Sequence, residues 1–166
     1  GGIVTVLVAC CPVLEPFSKR MTGMGVVGSG QVTKVGNQMI VSCNVLGMAE
    51  GMGLAEKACV DSAQIPQALK GGFADSIPLQ LTGPRMAQRD YDPVKWHVKT
   101  LLKDLDMANS LAKDNMSAVP MAGLGAELMR QHGSKGFADS DPCTLIEMYQ
   151  ALNKKNKMPS KVKDAE

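Results

Sequence analysis

The chain has 166 residues, enough for one domain with a real core and short for two. Hydrophobic residues make up 45% and aromatics only 4%, with 12 Met and 17 Gly, so Leu, Met, Val and Ala must fill the core, which suits closely packed helices better than a β-sandwich. The net charge of +2 reflects five lysines from Lys154 to Lys163; without the tail from residue 154 onward there are 13 basic and 14 acidic side chains, a balance that argues against nucleic acid as a partner.

Ile3–Ala9 is a continuous β-branched apolar run of strand length, the pattern of a strand buried on both faces of an α/β sheet. Pro12–Arg20 reads as a short helix after it. From Ser29 the texture is helical throughout. A first helix of close to 30 residues is expected from Gly30 to Ala58, apolar around its circumference and so enclosed on most sides. Its glycines, Gly36, Gly47, Gly51 and Gly53, each cost roughly 0.5–1 kcal/mol against alanine, which implies close neighbours there. Asp61 can cap a second helix through Leu69, ended by Gly71-Gly72, and a third runs from near Ser76 to Arg89. After the turn Asp90-Tyr91-Asp92-Pro93, Val94–Lys113 gives an amphipathic helix with the stripe Leu101, Leu105, Ala108 and Ala112. Two more helices follow, around Met121–His132 and around Cys143–Asn153, the latter capped by Asp141 with Pro142 at its first position. Three segments result: 1–28, the end of an α/β domain; 29–153, helical; 154–166, a basic tail expected to be disordered.

The five cysteines form no C-x-x-C pair and share no ligand spacing with His97 or His132, which predicts no metal site and reduced thiols in the cytoplasm. The longest weakly charged run, Val35–Ala49, is shorter than the ~20 apolar residues of a membrane span.

Chemistry concentrates where a glycine turn, Gly28-Ser29-Gly30, opens into the long helix. Lys34 lies about one turn in, near the positive end of the helix dipole, which suits an ammonium that hands a proton to a carbonyl oxygen. Asn37 and Gln38, three and four residues on, share its face, and a carboxamide can both donate and accept. The bland alternatives are a solvated lysine and polar groups bonding within a helix interface.

The run G-x-G-x-x-x-K-x-x-N resembles the β-hydroxyacid dehydrogenases, the family of 3-hydroxyisobutyrate dehydrogenase and 2-hydroxy-3-oxopropionate reductase. Lys103-Asp104-Leu105, with Lys103 69 positions after Lys34, matches that family's K-D-L signature. Gly71-Gly72-Phe73-Ala74-Asp75-Ser76 is similar to its glycine-rich corner. The resemblance implies a mainly α fold, an all-helical C-terminal dehydrogenase domain like that of 6-phosphogluconate dehydrogenase, preceded by a remnant strand and helix of a Rossmann α/β domain. It implies Lys34 as general acid/base, Asn37, Gln38 and Ser76 at the substrate, and Lys103 and Phe73 at the cofactor. That cofactor is NAD or NADP, the substrate a small hydroxy acid or its semialdehyde, and the assembly a homodimer or higher homo-oligomer. Gly2–Cys11 matches the family's late Rossmann segment, with Ala9-Cys10-Cys11 in place of the usual glycines. The dinucleotide G-x-G-x-x-G and the Pro-Val-Ser-Gly-Gly loop of relatives do not occur here, so the chain reads as the C-terminal half of such an enzyme, inactive alone. The rival reading is a catalytically silent helical dimerisation module derived from one.

Overall fold

The computed structural model describes residues 1–150; the expected helix end at Asn153 and the basic tail 154–166 lie outside the described residues. Every regular element among the described residues is helical. The α-helices are α1 (Val4–Leu14), α2 (Ser29–Lys57), α3 (Ile65–Ala68), α4 (Ile77–Gln88), α5 (Val98–Asp114), α6 (Pro120–His132) and α7 (Glu147–Gln150). Single 3-10 turns cover Glu15–Phe17, Ser62–Gln64 and Pro142–Ile146, and a wide π-type turn covers Gly133–Phe137.

The expected strand at Ile3–Ala9 is instead the body of α1. Its β-branched residues favour a strand, but a strand must find its backbone partners on a neighbouring one. No strand is present among the described residues, and a helix closes those bonds internally, beginning with Leu7 N on Ile3 O at 3.0 Å. The remnant of a Rossmann domain expected over 1–28 is therefore a helix with one 3-10 turn. Pro12, expected to begin a short helix through Arg20, lies inside α1, and no residue of that helix is buried.

The described residues form two compact units: Gly1–Cys43 with Thr100–Leu128, and Asn44–Lys99 with the described residues from Met129 onward. In the first, Gly28 at φ 93° makes the turn into α2, and its carbonyl accepts from Gln31 and Val32. The core there holds Val35 of α2, the stripe Leu101, Leu105, Ala108 and Ala112 of α5, and Ala122 and Ala126 of α6. That stripe is the one its 4-3-4 spacing predicts.

The second unit packs Val45, Ala49 and Met52 of α2 with Met86, Met129, Leu145 and Ile146, methionines taking the space that aromatics fill elsewhere. Both expected caps form: Asp61 accepts from Ala63 N at 3.0 Å and Asp141 from Cys143 N at 3.0 Å; Ser76, expected only near the start of the third helix, caps it by accepting from Leu79 N at 3.1 Å. The amphipathic helix begins at Val98 rather than Val94. Ahead of it Lys95 N donates to the Asp141 carboxylate, and the first two N–H groups of the helix, Val98 N and Lys99 N, donate to the carbonyls of Ser140 and Ala138.

Two expectations for α2 change. It is not enclosed on most sides, since Val32, Ile40 and Leu54 are exposed. Of its inner glycines, only Gly53 marks a close approach, where an added Cβ would lie 2.7 Å from Tyr149 Cβ; at Gly36, Gly47 and Gly51 it would meet nothing within 4 Å.

Candidate functional site

In the first unit, one turn of α2 and one turn of α5 share a hydrogen-bonded chain of polar groups. Lys34 Nζ donates to Gln38 Oε1 at 3.0 Å, one helical turn on. Asn37 Nδ2 donates to the same oxygen at 2.8 Å. Gln38 Nε2 donates across to Asp104 Oδ2 on α5 at 2.6 Å. Asp104 Oδ1 in turn faces Lys103 Nζ at 3.3 Å. The structure thus brings together Lys34, Asn37, Gln38 and Lys103, all four expected from sequence. Asp104, the middle residue of the K-D-L match, binds both Lys103 and Gln38.

Exposure is graded along this chain. Lys34 and Asn37 are exposed and Gln38 is half-buried. The Lys103 side chain is 66% exposed and that of Asp104 only 14%. The two ammonium groups therefore keep donors for an incoming anion or carbonyl, while the carboxylate is committed to protein. Beside the same helices lies an open apolar cavity of about 360 Å³, lined by Val32, Val35, Gly36 and Met39 of α2 and by Ala108, Leu111 and Ala112 of α5.

Phe73 and Ser76 belong to the second unit. Phe73 is fully exposed. The Ser76 hydroxyl caps α4 and also donates to Asn44 Oδ1 at 3.3 Å. Nearby, the carboxylate of Asp75 accepts from Gly71 N at 2.7 Å and from Gln80, which holds it below the usual carboxylate range.

Several other ionisable groups of the second unit are tied up structurally. Burial opposes ionisation of Asp141, but N–H groups of Lys95 and Cys143 and the Arg85 guanidinium at 2.8 Å keep its carboxyl lowered. Burial and the Asp141 charge push the Cys143 thiol up to about 12, so it stays protonated and is no nucleophile. Burial, helped by Lys135, lowers His132 to about 4; its Nε2 lies 2.9 Å from Thr144 Oγ1 and its ring stacks on Phe137. His97 Nδ1 contacts Asp139 O at 2.8 Å, and Lys99 pairs with the Asp139 carboxylate. Among the described residues no three His, Cys, Asp or Glu side chains converge as for a metal ion, and no helix is long and apolar enough to cross a membrane.

The family described as NAD-binding of NADP-dependent 3-hydroxyisobutyrate dehydrogenase matches residues 28–149. The chain is 32% identical over 152 residues to 2-hydroxy-3-oxopropionate reductase of Escherichia coli, covering 92% of this chain and 52% of that protein. It is 41% identical over 143 residues to the Arabidopsis thaliana protein named "Probable 3-hydroxyisobutyrate dehydrogenase-like 2, mitochondrial", covering 84% and 46% respectively. Among solved structures, 3-hydroxyisobutyrate dehydrogenase of Mycobacterium tuberculosis with L-serine superposes with a TM-score of 0.80 at 23% identity, over 91% of this chain and 54% of that one. The enzyme from Salmonella typhimurium gives 0.81 at 19% identity, over 89% and 52%. At those identities the structures show a shared fold. The chain spans about half the length of the curated relatives it matches. With the fold, the spaced motifs and the family match in agreement, this chain belongs to the 3-hydroxyisobutyrate dehydrogenase family of oxidoreductases.

Proposed function

We propose that the chain carries the acid/base end of a nicotinamide-dependent oxidoreductase that interconverts a small hydroxy acid and its semialdehyde, with Lys34 as general acid/base. The observation that carries this reading is the Lys34–Gln38–Asp104–Lys103 hydrogen-bonded chain with Asn37 at its edge. In the reducing direction the Lys34 ammonium donates to the aldehyde oxygen and gives up a proton as that oxygen becomes a hydroxyl. In the oxidising direction the neutral amine takes the hydroxyl proton as the carbon loses hydride.

Asn37 spends one N–H on Gln38 and keeps the other, with its own oxygen, for the substrate hydroxyl or carboxylate. Gln38, its oxygen shared by Lys34 and Asn37, has one N–H left for the same substrate. Ser76 has given its proton to Asn44 and one lone pair to its cap; the remaining lone pair is the acceptor this reading assigns to substrate.

The cofactor is NAD or NADP, which when bound supplies or removes the hydride. Lys103, with donors beyond its pairing to Asp104, and the exposed ring of Phe73 are the groups assigned to it. The family resemblance assigns Lys103 to the nicotinamide end, and no strand–glycine turn–helix cradle for a pyrophosphate occurs among the described residues. The working form is a homodimer or higher homo-oligomer.

The test is Lys34→Ala in a protein that joins this chain to a nucleotide-binding domain. Turnover should fall by at least about 10²-fold with cofactor affinity little changed. Near-normal turnover would remove Lys34 as proton donor and favour a catalytically silent dimerisation module.

A further inference from the structure

A carboxamide has two nearly isosteric ends, one a donor and one an acceptor, so its orientation is set only by partners that cannot serve both roles. Gln38 has two such partners. Lys34, as an ammonium, can only donate, and it takes Oε1 at 3.0 Å. Asp104, as a carboxylate, can only accept, and it takes Nε2 at 2.6 Å. A lysine that exchanges a proton alternates between donor-only ammonium and an amine that can accept. In the second state it no longer dictates which end of Gln38 it meets. Asn37 Nδ2 also uses Oε1, at 2.8 Å, but its carboxamide is as two-faced as the one it would hold. Asp104 is the one member of the cluster whose demand on Gln38 does not change when Lys34 changes.

We infer that Asp104 is a positioning residue: it fixes the Gln38 carboxamide with its oxygen toward Lys34 through both protonation states of that lysine. Its surroundings suit the task. Its side chain is 14% exposed, so water competes weakly for its oxygens, and Leu101, Leu105 and Ala108 on the same helix are buried. The pairing with Lys103 at 3.3 Å occupies Oδ1 and leaves Oδ2 for Gln38. This inference rests on the proposal that Lys34 exchanges a proton, but its readout does not.

The experiment follows the Gln38 side-chain amide of the full chain by ¹⁵N-resolved NMR, with backbone amides of α2 and α5 as the folding control. In the unaltered protein the Gln38 Nε2 protons should exchange with solvent slowly and at least one should resonate downfield, as for an amide on a carboxylate. Asp104→Ala should speed exchange at least about fivefold and move that proton toward the free-amide position. Asp104→Asn, which returns an acceptor oxygen at the same place and is the milder change should alanine unfold the unit, should restore slow exchange in part. Lys103→Met breaks the ion pair and leaves the Asp104–Gln38 bond, so it should leave the Gln38 signals in place. Gln38 signals indifferent to Asp104→Ala or Asp104→Asn, or shifted as much by Lys103→Met as by Asp104→Ala, would overturn the inference. Failure of Lys34→Ala to slow turnover would remove the catalytic reading and leave this measurement standing.

Discussion

His132 holds its neutral form in a buried site: 1% exposed, stacked on Phe137 with ring centres 4.3 Å apart, and bonded to Thr144. The Thr144 hydroxyl gives its proton to Asp141 O at 2.8 Å, so Nε2 of His132 is the donor to Thr144. Its pKa falls from 6.5 to about 4, chiefly because burial penalises the imidazolium, with Lys135 adding repulsion and Glu147 partly offsetting it. Between those values the unfolded chain binds a proton that the folded chain refuses. Stability is therefore complete above about pH 6.5 and declines as pH falls toward 4, by about 2 kcal/mol between pH 7 and pH 5. Urea midpoints at the two pH values measure this. His132→Gln, which can still donate to Thr144 but does not titrate, should flatten the difference; an unchanged slope would assign the acid sensitivity to other groups. The lowered carboxylates Asp75, Asp139 and Asp141 act at lower pH, their contribution being lost from the ordinary carboxylate range downward.

At the scale of elements, capping chemistry made the helices legible. Asp61, Ser76 and Asp141 each sit one residue ahead of a helical turn and accept from its first N–H groups, a signal contained in four residues of sequence. What decides α1 is not local. A short β-branched run fits a buried strand as well as a helix, and the choice depends on whether a neighbouring strand is present to pair with. The site divides in the same way. Lys34, Asn37 and Gln38 were visible through their spacing on one helix, whereas the Gln38–Asp104 bond joins residues 66 positions apart and has no trace in a local pattern. Gly53 yields a prediction at this scale. Its missing Cβ admits Tyr149 at a separation where real Cβ atoms essentially never sit. Gly53→Ala should lose about 1–2 kcal/mol net, since overpacking outweighs the gain in helix propensity. Thermal denaturation of Gly53→Ala, Tyr149→Gly, which removes the Cβ that the new methyl group would meet, and the double variant should show a double change smaller than the sum. Strict additivity would mean that the two side chains do not meet.

For the whole molecule, the question is what the exposed apolar surface faces. α1 buries nothing, and α2 leaves Ile40 and Leu54 bare, so the proposed assembly has surface to cover. Gly47 and Gly51, exposed and with room for a Cβ, lie with Leu54 on one side of α2 at spacings of four and three residues. In an isolated chain those glycines weaken the helix and gain nothing in return, so the sign of one small substitution reports on assembly. At concentrations low enough to keep the chain monomeric, Gly47→Ala should raise stability by about 0.5–1 kcal/mol, the ordinary gain of alanine in a helix. If a second copy lies along this side, the same methyl group should weaken self-association in sedimentation or light scattering, because it holds two helix backbones apart. A chain monomeric at micromolar concentration would count against the assembly. A gain in stability with association untouched would move the interface elsewhere, with the exposed apolar residues of α1 left to supply it. The bare flank of a helix can thus be read as the imprint of a neighbour, and one carbon atom is enough to ask whether the neighbour is there.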